Sequence, residues 1–354
     1  MRCLVLKGIK VYALAPDYDD ASRAGVLALG VEPVDAPMSR AGMNPLKDAY
    51  DVWRLSRQLR KLQVDASFAY FIKPVIYGTL AAAFASVPKR FAMIEGAGYV
   101  FIEQHDPYYF RRFLRFVLMG LYRLALGFAD RVFLLNTDDQ QLFVESGMVA
   151  AQKVVLLNGI GVDLDYFSPR APQISPVCFI MSARLLRSKG VCDYVSAARQ
   201  VKALHPEVRF LLLGSPDVNP DSLTQAEIDN WVAEGIIECP GHVADVRDWL
   251  AQASVFVLPS YYREGVPRSI MEAMSMQRPV ITTNVAGCRD TVQEGMNGFI
   301  LPIRNPGLLA KSMLAFIEQP QMIETMGRES RLMAETQFDV IKINAQILSK
   351  MNIE

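Results

Sequence analysis

Short apolar runs alternate with longer segments of helical periodicity along the whole chain, and this series of alternations occurs twice. The order is typical of βαβ units, in which helices connect parallel strands. The sequence therefore predicts an α/β fold with two tandem Rossmann-like parallel-sheet domains. The predicted strands are residues 10–16, 31–37, 64–71, 89–95, 131–136 and 153–158 in the first series, and 177–182, 208–214, 236–241, 254–260, 279–284 and 298–302 in the second.

A polar, proline-rich segment separates the two series. Residues 165–176, DYFSPRAPQISP, contain three prolines, which neither a helix interior nor a central strand accommodates, so this segment is predicted to be a linker. We expect a first domain at 1–165, a second at 166–337, and a C-terminal helix at 338–354 that packs back on the first domain. Two such domains form a cleft between the carboxyl ends of their sheets, where α/β proteins bind ligands.

Composition and charge exclude several classes of function. The 354 residues include 37 basic and 37 acidic side chains, so no global field attracts nucleic acid. Five cysteines and three histidines are dispersed without the spacing of a zinc site or a disulfide framework, so no metal is predicted and a reducing cytosol is expected. No apolar run reaches the roughly 18 residues that a membrane span needs.

The second series contains a candidate phosphate and sugar site. Residues 258–281, LPSYYREGVPRSIMEAMSMQRPVI, run from a buried-type strand through a loop into a helix whose first turn is expected at Pro267. A helix start offers unpaired N–H groups to an anion, and Gly265 lets a ligand approach the backbone. Glu264 and Glu272 are then predicted to face the cleft and bind hydroxyls. The alternative is that they are an ordinary helix-start acid and a solvated helix residue.

Two cations follow the first strand of the second series. They are Arg184 and Lys189 in the segment SARLLRSKG, residues 182–190. Arginine grips phosphate through paired hydrogen bonds, whereas lysine acts as a point charge. A diphosphate needs such neutralisation where no cluster of metal ligands is available. The alternative is that both are solvated loop cations with no ligand.

Five segments resemble the nucleotide-sugar domain of retaining GT-B glycosyltransferases of family 4 in their order and spacing. The likeness covers nearly all of residues 158–302 and extends more loosely over the first domain. It is strongest to bacterial enzymes that build polyprenyl-linked oligosaccharides, among them N-acetylgalactosaminyltransferases. The segments are ARLLRSKG (183–190), GHVADVRDWL (241–250), LPSYYREGVPRSIMEAM (258–274), RPVITTNVAG (278–287) and EGMNGFILP (294–302).

The resemblance implies a role for each matching residue of the second domain. Arg184 and Lys189 would neutralise the donor diphosphate, and Glu272 would bind the ribose hydroxyls. Glu264 and the backbone of the three following residues would hold the transferred sugar, and the segment 241–243 would lie beside the nucleobase. His242 has the alternative of simply capping a strand. The implied donor-binding residues are Arg184, Lys189, Gly241, His242, Val243, Glu264, Gly265, Val266, Pro267 and Glu272.

The first domain supplies candidates for the acceptor side of the cleft. Glu95 ends a predicted strand before Gly96 and Gly98, where many family members have a histidine that faces the reaction centre. A carboxylate there would orient the acceptor hydroxyl or accept its proton, and its pKa would rise if desolvated. The alternative is a structural glutamate. Lys73 and Asn136 also end strands and join the two glycines as predicted acceptor-binding residues. The predicted catalytic residues are Glu95, Arg184, Lys189 and Glu264.

The N-terminus departs from the family pattern. Family members usually begin with a strand and a glycine-containing loop, followed by a helix. Here MRCLVLKG resembles the second half of that helix. We therefore expect a shortened N-terminus in which a central strand is missing and backbone groups of its two neighbours are exposed.

Residues 108–128, YYFRRFLRFVLMGLYRLALGF, combine four arginines with many aromatic and aliphatic residues at helical spacing. The pattern favours a core helix with a basic edge. The alternative is a helix that lies in a membrane interface, where Arg111, Arg112, Arg115 and Arg123 would attract anionic lipid and the pyrophosphate of a lipid-linked acceptor.

The resemblance implies a retaining, metal-independent glycosyltransferase that needs no cofactor. Its expected partners are a nucleotide-sugar donor, a UDP-N-acetylhexosamine, and a polyprenyl-diphosphate-linked saccharide acceptor, with no nucleic acid. The expected location is the cytoplasm, at the inner face of the plasma membrane. Two alternatives remain open. One is a sugar-nucleotide epimerase, whose further acids and histidines cannot be placed here, and the other is a non-catalytic sugar-nucleotide-binding protein of a glycan assembly complex.

Overall fold

The computed structural model describes residues 1–38, 44–97, 101 and 109–353. In the first half of this described chain, each strand lies inside a run that the sequence predicted as a strand, and helices connect the strands. The strands are β1 (Tyr12–Ala15), β2 (Glu32–Asp35), β3 (Ala66–Tyr70), β4 (Lys89–Ile94), β5 (Arg131–Leu134) and β6 (Val154–Leu156). The helices are α1 (Arg2–Leu6), α2 (Asp20–Ala28), α3 (Pro45–Leu62), α4 (Thr79–Phe84), which a π-helical turn (Pro74–Gly78) precedes, α5 (Tyr109–Gly127) and α6 (Thr137–Glu145).

The second half repeats the alternation and then becomes helical. Its strands are β7 (Cys178–Ser182), β8 (Arg209–Leu213), β9 (Glu238–Gly241), β10 (Val255–Leu258), β11 (Val280–Thr283) and β12 (Gly298–Leu301). Its helices are α7 (Val191–Lys202), α8 (Gln225–Ala233), α9 (Arg247–Ala251), α10 (Arg268–Ser275), α11 (Pro306–Glu318), α12 (Gln321–Gln337) and α13 (Val340–Lys350).

All strand pairs within the described sheets are parallel, which confirms the predicted α/β class. The second half forms one sheet in the order β12-β11-β10-β7-β8-β9. The first half forms two sheets, β1-β2 and β3-β4-β5-β6. Among the described residues, β1 therefore pairs only with β2, and β3 only with β4. Each has an unpaired edge of backbone N–H and C=O groups.

Hydrophobic side chains on the two faces of the four-stranded sheet join different cores. Successive residues of a strand point to opposite faces. Accordingly, Ala92 and Ile94 of β4 pack in a cluster with residues of α3, α4 and α5, whereas Phe91 and Met93 belong to the larger cluster that surrounds the six-stranded sheet. The four-stranded sheet is thereby part of both cores.

The C-terminal segment crosses from the second half to the first. The N–H of Val162 donates to the carbonyl oxygen of Phe338 at 2.8 Å, and the N–H of Val340 donates to the carbonyl oxygen of Val162 at 3.1 Å. Farther along, Gln346 Nε2 donates to the carbonyl oxygen of Leu156 in β6 at 3.3 Å. α13 therefore lies against β6, the edge strand of the four-stranded sheet.

Candidate functional site

The loop after β7 presents the two predicted phosphate-binding cations. Arg184 is exposed, with Nη1 3.2 Å from Asp217 Oδ2. Lys189 ends a 3₁₀ turn (Arg187–Lys189), where the N–H of Ser188 donates to Asp221 Oδ2 at 3.0 Å. These contacts fix the loop while leaving the Arg184 guanidinium accessible to an anion.

Gly190 allows this loop to pack against the strand end of β10. Its φ of +79° lies in the left-handed region, and a Cβ added there would lie 2.0 Å from the carbonyl oxygen of Pro259. A side chain has no room at this position, so the glycine is required both by conformation and by space.

Lys189 and Glu264, 75 positions apart in sequence, form an ion pair between Nζ and Oε1. Both side chains are only 12% exposed, so the pair is largely shielded from water. Ser260 Oγ donates to the same carboxylate oxygen at 3.2 Å, and the ring centroid of Tyr262 lies 5.3 Å from Lys189 Nζ. The structure thus brings together two residues that the sequence assigned to the diphosphate and to the transferred sugar.

The donor loop, defined here as residues 259–267, leads into α10. The sequence placed Pro267 in the first helical turn, whereas α10 begins at Arg268 and Pro267 is its N-cap residue, one position earlier. Pro267 carries no N–H, and the backbone N–H groups of the first turn of a helix have no acceptor within the helix. The positive end of α10 therefore lies where the resemblance put the donor sugar.

Glu272 lies one turn into α10 and is mostly buried. Burial raises the pKa of the Glu272 carboxyl, and the neighbouring Arg268, whose Nε donates to Oε1 at 2.8 Å, lowers it again. Burial has the larger effect, so the pKa of Glu272 stays above its usual value, and the partner that opposes the shift is itself exposed. The predicted contact with ribose hydroxyls is compatible with this position and stays a prediction.

The predicted nucleobase segment, residues 241–243, begins at the last residue of β9. Gly241 has a φ of +82°, and its carbonyl oxygen accepts from the N–H of Gly214 at 3.0 Å. His242 is exposed, and Val243 packs partly on the large core. The segment is thus held through its glycine backbone and by Val243, while the imidazole points to solvent. Its role beside a base stays a prediction.

Glu95 follows β4 and contacts the donor loop through its backbone. A Cβ added to Gly265 would lie 2.3 Å from the carbonyl oxygen of Glu95, and a Cβ added to Gly96, whose φ is +142°, would lie 3.2 Å from the nitrogen of Gly265. Burial raises the pKa of the Glu95 carboxyl. The backbone of Glu95 and Gly96 therefore packs directly against the donor loop. Gly98, the other predicted glycine, lies outside the described residues.

Asn136 lies at the N-terminus of α6 and bonds the donor loop. Its Oδ1 accepts from the N–H of Asp139 at 2.8 Å, which caps the helix. Its Nδ2 donates to the carbonyl oxygens of Glu264 at 3.1 Å and of Gly265 at 3.0 Å. The sequence predicted Asn136 as an acceptor-binding residue. The structure directs its amide to the donor loop, and acceptor binding stays a prediction.

Two ion pairs beside Asn136 were not found from the sequence. Arg263 Nε donates to Asp139 Oδ1 at 2.8 Å, and the Asp139 side chain is fully buried. Arg289 forms an ion pair with Asp138, the residue that precedes Asp139. The segment NTDD after a strand indicated a helix N-terminus rich in acids, but the arginines that pair with them lie 124 and 151 positions away. Local pattern carries no information about such partners.

Lys73, the remaining predicted acceptor residue, precedes the π-helical turn. Its Nζ is 3.1 Å from Oδ1 of Asp48, a buried residue of α3, and 5.9 Å from the ring centroid of Tyr77. The ammonium group therefore compensates a buried carboxylate of the same half. Contact with an acceptor stays a prediction.

α5 has one buried and one exposed face, and both are rich in apolar residues. Leu118, Tyr122, Ala125 and Leu126 are buried in the first core. On the opposite face Phe113 is 63% and Phe116 is 76% exposed, and Val117 and Leu124 are exposed too. The exposed arginines of this helix are Arg112, Arg115 and Arg123.

The helix thus combines the favoured core packing with the surface that the membrane alternative needs. Tyr108 and the side chain of Arg111 lie outside the described residues. Within the described part of the chain, no helix combines the length and the apolar character needed to cross a bilayer.

Comparison with known proteins finds a family and relatives that this chain resembles. Residues 176–319 match the family described as Glycosyl transferases group 1. The chain is 26% identical over 340 residues to the N,N'-diacetylbacillosaminyl-diphospho-undecaprenol alpha-1,3-N-acetylgalactosaminyltransferase of Campylobacter jejuni. The aligned region covers 91% of this chain and 86% of the relative. It is 23% identical to the UDP-Gal:alpha-D-GlcNAc-diphosphoundecaprenol alpha-1,3-galactosyltransferase of Escherichia coli, over 84% of this chain and 77% of that one.

A solved structure shows the same fold at low sequence identity. Anabaena HepE in complex with UDP superposes with a TM-score of 0.75 and 18% identity, over 97% of this chain and 100% of that one. The resemblance to GT-B glycosyltransferases, drawn from five segments of sequence, is thereby confirmed, and so is the fold class.

Proposed function

We propose that this chain, in which residues 176–319 form a glycosyltransferase group 1 domain, transfers an N-acetylhexosamine from a UDP-linked donor to a polyprenyl-diphosphate-linked saccharide, with retention of configuration and without a metal ion. The observation that carries the proposal is the shielded Lys189–Glu264 pair at the positive end of α10. A cation and a hydroxyl-binding carboxylate at one point match the two parts of a sugar nucleotide, its diphosphate and its sugar.

The charge on the donor diphosphate would be met by three groups. Lys189 has three ammonium hydrogens, so it can bind a phosphate oxygen and keep its contact with Glu264. Arg184 is exposed and paired only at 3.2 Å with Asp217, and such an exposed pair contributes little and is easily exchanged for phosphate. The N–H groups at the start of α10 add their dipole. The UDP in the solved relative supports this class of donor.

The reaction step is a substitution at the anomeric carbon. The bond from that carbon to the diphosphate oxygen breaks while a bond to the acceptor hydroxyl oxygen forms. The proton of that hydroxyl passes to the departing phosphate oxygen on the same face of the sugar. Lys189 and Arg184 stabilise the charge that develops on the diphosphate, and Glu264 with the donor loop holds the sugar in place. Glu95 orients the acceptor hydroxyl.

The acceptor and its location follow from the relatives and from α5. Two relatives carry undecaprenyl diphosphate in the names of their acceptors. A lipid-linked acceptor lies in a membrane, and the exposed aromatic and arginine face of α5 fits the interface of an anionic leaflet. We place the chain at the inner face of the plasma membrane, on the cytoplasmic side.

The test is transfer by the purified chain from a panel of UDP-sugars to a synthetic polyprenyl-diphosphate-linked GlcNAc or diacetylbacillosamine, followed by mass spectrometry and by NMR of the anomeric linkage. Lys189→Ala should lower turnover at least about 100-fold, because one group that stabilises transition-state charge is lost. Lys311→Ala, an exposed lysine of α11, is the matched control and should keep wild-type turnover. Wild-type turnover in Lys189→Ala would refute the assignment.

A further inference from the structure

The donor loop belongs to the second half of the chain, yet its backbone is held by the first half. Asn136 Nδ2 donates both to Asp139 Oδ2, at 3.0 Å, and to the two carbonyl oxygens of the loop. Arg263, inside the loop, donates to the other oxygen of Asp139. One carboxylate thus connects an amide of the first half with a guanidinium of the second.

We propose that Asn136, Asp139 and Arg263 form an interdomain clasp that positions the donor loop against the first domain, so that the sugar on the loop faces the acceptor. The inference rests on the proposed function and deepens it. The three residues are positioning residues, because they act through the loop and not on the substrate.

Burial of the Asp139–Arg263 ion pair makes the clasp costly to separate. Asp139 exposes none of its side chain, and Arg263 exposes 22%. A buried carboxylate that loses its cation is left with an uncompensated charge, which is strongly unfavourable. Moving the loop away from α6 would therefore carry the cost of separating this buried pair.

Backbone packing reinforces the position that the clasp selects. A Cβ on Gly265 would lie 2.3 Å from the carbonyl oxygen of Glu95, and a Cβ on Gly287, which lies after β11, would lie 1.8 Å from the carbonyl oxygen of Gly265. The loop is thus packed between the strand end of β4 and a turn of the second half. The clasp and these contacts together set the distance from the donor loop to Glu95.

The position of the clasp predicts which kinetic constant it controls. The proposed phosphate ligands, Arg184 and Lys189, are both held by contacts within the second half. Donor binding should therefore survive the loss of the clasp. The alignment of the bound sugar with an acceptor held by the first half should be lost with the clasp. We therefore expect kcat to fall while KM for the donor stays nearly constant.

A substitution at Asn136 tests whether the clasp controls kcat. Asn136→Asp keeps the oxygen that caps α6, but it replaces the amide that donates to the loop with a carboxylate oxygen that repels both the loop carbonyls and Asp139. Asn305→Asp is the matched control, since Asn305 caps α11 through the same Oδ1 contact, to the N–H of Leu308 at 3.0 Å. We expect Asn136→Asp to lower kcat about tenfold with donor KM within about threefold, and Asn305→Asp to change neither.

Arg263 provides a second variant in case Asn136→Asp folds poorly. Arg263→Ala should lower kcat, and Arg263→Lys, which restores the charge, should recover part of it. A purely stabilising role would lower the melting temperature but leave turnover per folded molecule unchanged, and that result would overturn the proposal.

Hydrogen exchange separates this proposal from the proposed function. Exchange of residues 262–267 should be faster in Asn136→Asp than in Asn305→Asp, while exchange in β7 and β8 is equal in both. If the wild-type chain transfers no sugar, the proposed function fails, and loop exchange alone decides whether the clasp exists. Equal loop exchange in both variants would rule the clasp out.

Discussion

The four central strands of the six-stranded sheet, β7, β8, β10 and β11, are buried almost along their whole length, whereas β1 and β3 of the first half are partly exposed. Every residue of β10 and β11 is buried. In contrast, β1 has no fully buried residue, and Tyr70 at the end of β3 is 45% exposed. The difference indicates that the six-stranded sheet is a rigid platform, while the first half leaves more apolar surface for contacts beyond its own core.

The candidate functional residues are also distributed unequally between the two halves. The second half holds the proposed phosphate ligands, Arg184 and Lys189, and the two glutamates that the resemblance assigned to the donor, Glu264 and Glu272. The first half contributes Glu95, the clasp on α6 and the exposed face of α5. Under the proposed function, a rigid donor-binding half combined with a more exposed acceptor-binding half would let one fold serve many acceptors.

The largest expected effect is the disruption of the platform by Gly190→Ala. The new Cβ would lie 2.0 Å from the carbonyl oxygen of Pro259 at a φ of +79°. Overpacking and the left-handed conformation together should cost about 2–5 kcal/mol of unfolding free energy, measured by urea denaturation. Gly235→Ala has a similar φ of +70° but open space around it, and should cost only about 1 kcal/mol. Equal losses would contradict the packing argument.

The next effect concerns the exposed surface of the first half. Replacing Arg112, Arg115 and Arg123 by alanine should weaken binding to vesicles rich in anionic lipid by about 3 kcal/mol, or about 100-fold, at about 1 kcal/mol per cation. Cosedimentation with phosphatidylglycerol vesicles measures this. The triple variant at Lys311, Arg328 and Lys350, exposed cations of the second half, is the control and should bind like the wild type. Identical binding by both triple variants would remove the membrane role of α5.

A smaller effect of opposite sign is expected for a glycine in the first half. Gly120 lies in the interior of α5, and a Cβ there meets nothing within 4 Å. Gly120→Ala should therefore raise the unfolding free energy by about 0.5–1 kcal/mol, because alanine loses less backbone entropy on helix formation. The same substitution thus destabilises the platform at Gly190 and stabilises the first half. A loss of stability at Gly120 would show that this face of α5 is more tightly packed than the structure indicates.

The smallest effects are pH-dependent and differ in sign between the halves. Burial raises the pKa of Glu95, so its charged form is disfavoured in the folded state. Its contribution to stability is most favourable at acid pH and decreases as pH rises through the folded pKa. Glu95→Gln should accordingly raise the melting temperature at pH 8 and leave it unchanged at pH 4.

Glu227 in the second half should behave in the opposite way. Hydrogen bonds from the Thr224 backbone and the Arg187 side chain lower its pKa from 4.5 to about 2. Its stabilisation is present above pH 4.5 and is lost as pH falls toward 2. Glu227→Gln should therefore lower the melting temperature at pH 7, and the difference should shrink below pH 4.5. Parallel pH profiles for the two variants would contradict this contrast.

Much of the fold could be predicted because its signals are local. Each described strand lies inside a predicted apolar run, since a buried parallel strand needs such a run and turn residues to bound it. The start of α10 was placed within one residue of its position, because proline and glycine restrict the backbone in known ways. Arg184, Lys189, Glu264 and Glu272 were candidates from their types and positions, but their roles came from the family resemblance and stay predictions.

Other features depended on contacts between distant residues. The first half divides into two sheets because, among the described residues, β1 pairs only with β2 and β3 only with β4. The amide of Asn136 turned out to bond the donor loop, and Asp139 with Arg263 was not found at all, because a pair 124 positions apart leaves no periodic trace in the sequence.

By itself, then, the sequence determined the order of strands and helices, the α/β class and the types of side chain available to a sugar nucleotide. Each of these depends on neighbours along the chain, where periodicity and backbone restrictions act. Only the tertiary structure decided that Lys189 shares Glu264 and that the donor loop is held from the first half. Ion pairs and buried hydrogen bonds depend on distance in space and on exclusion of water, and both arise only once the two cores have packed.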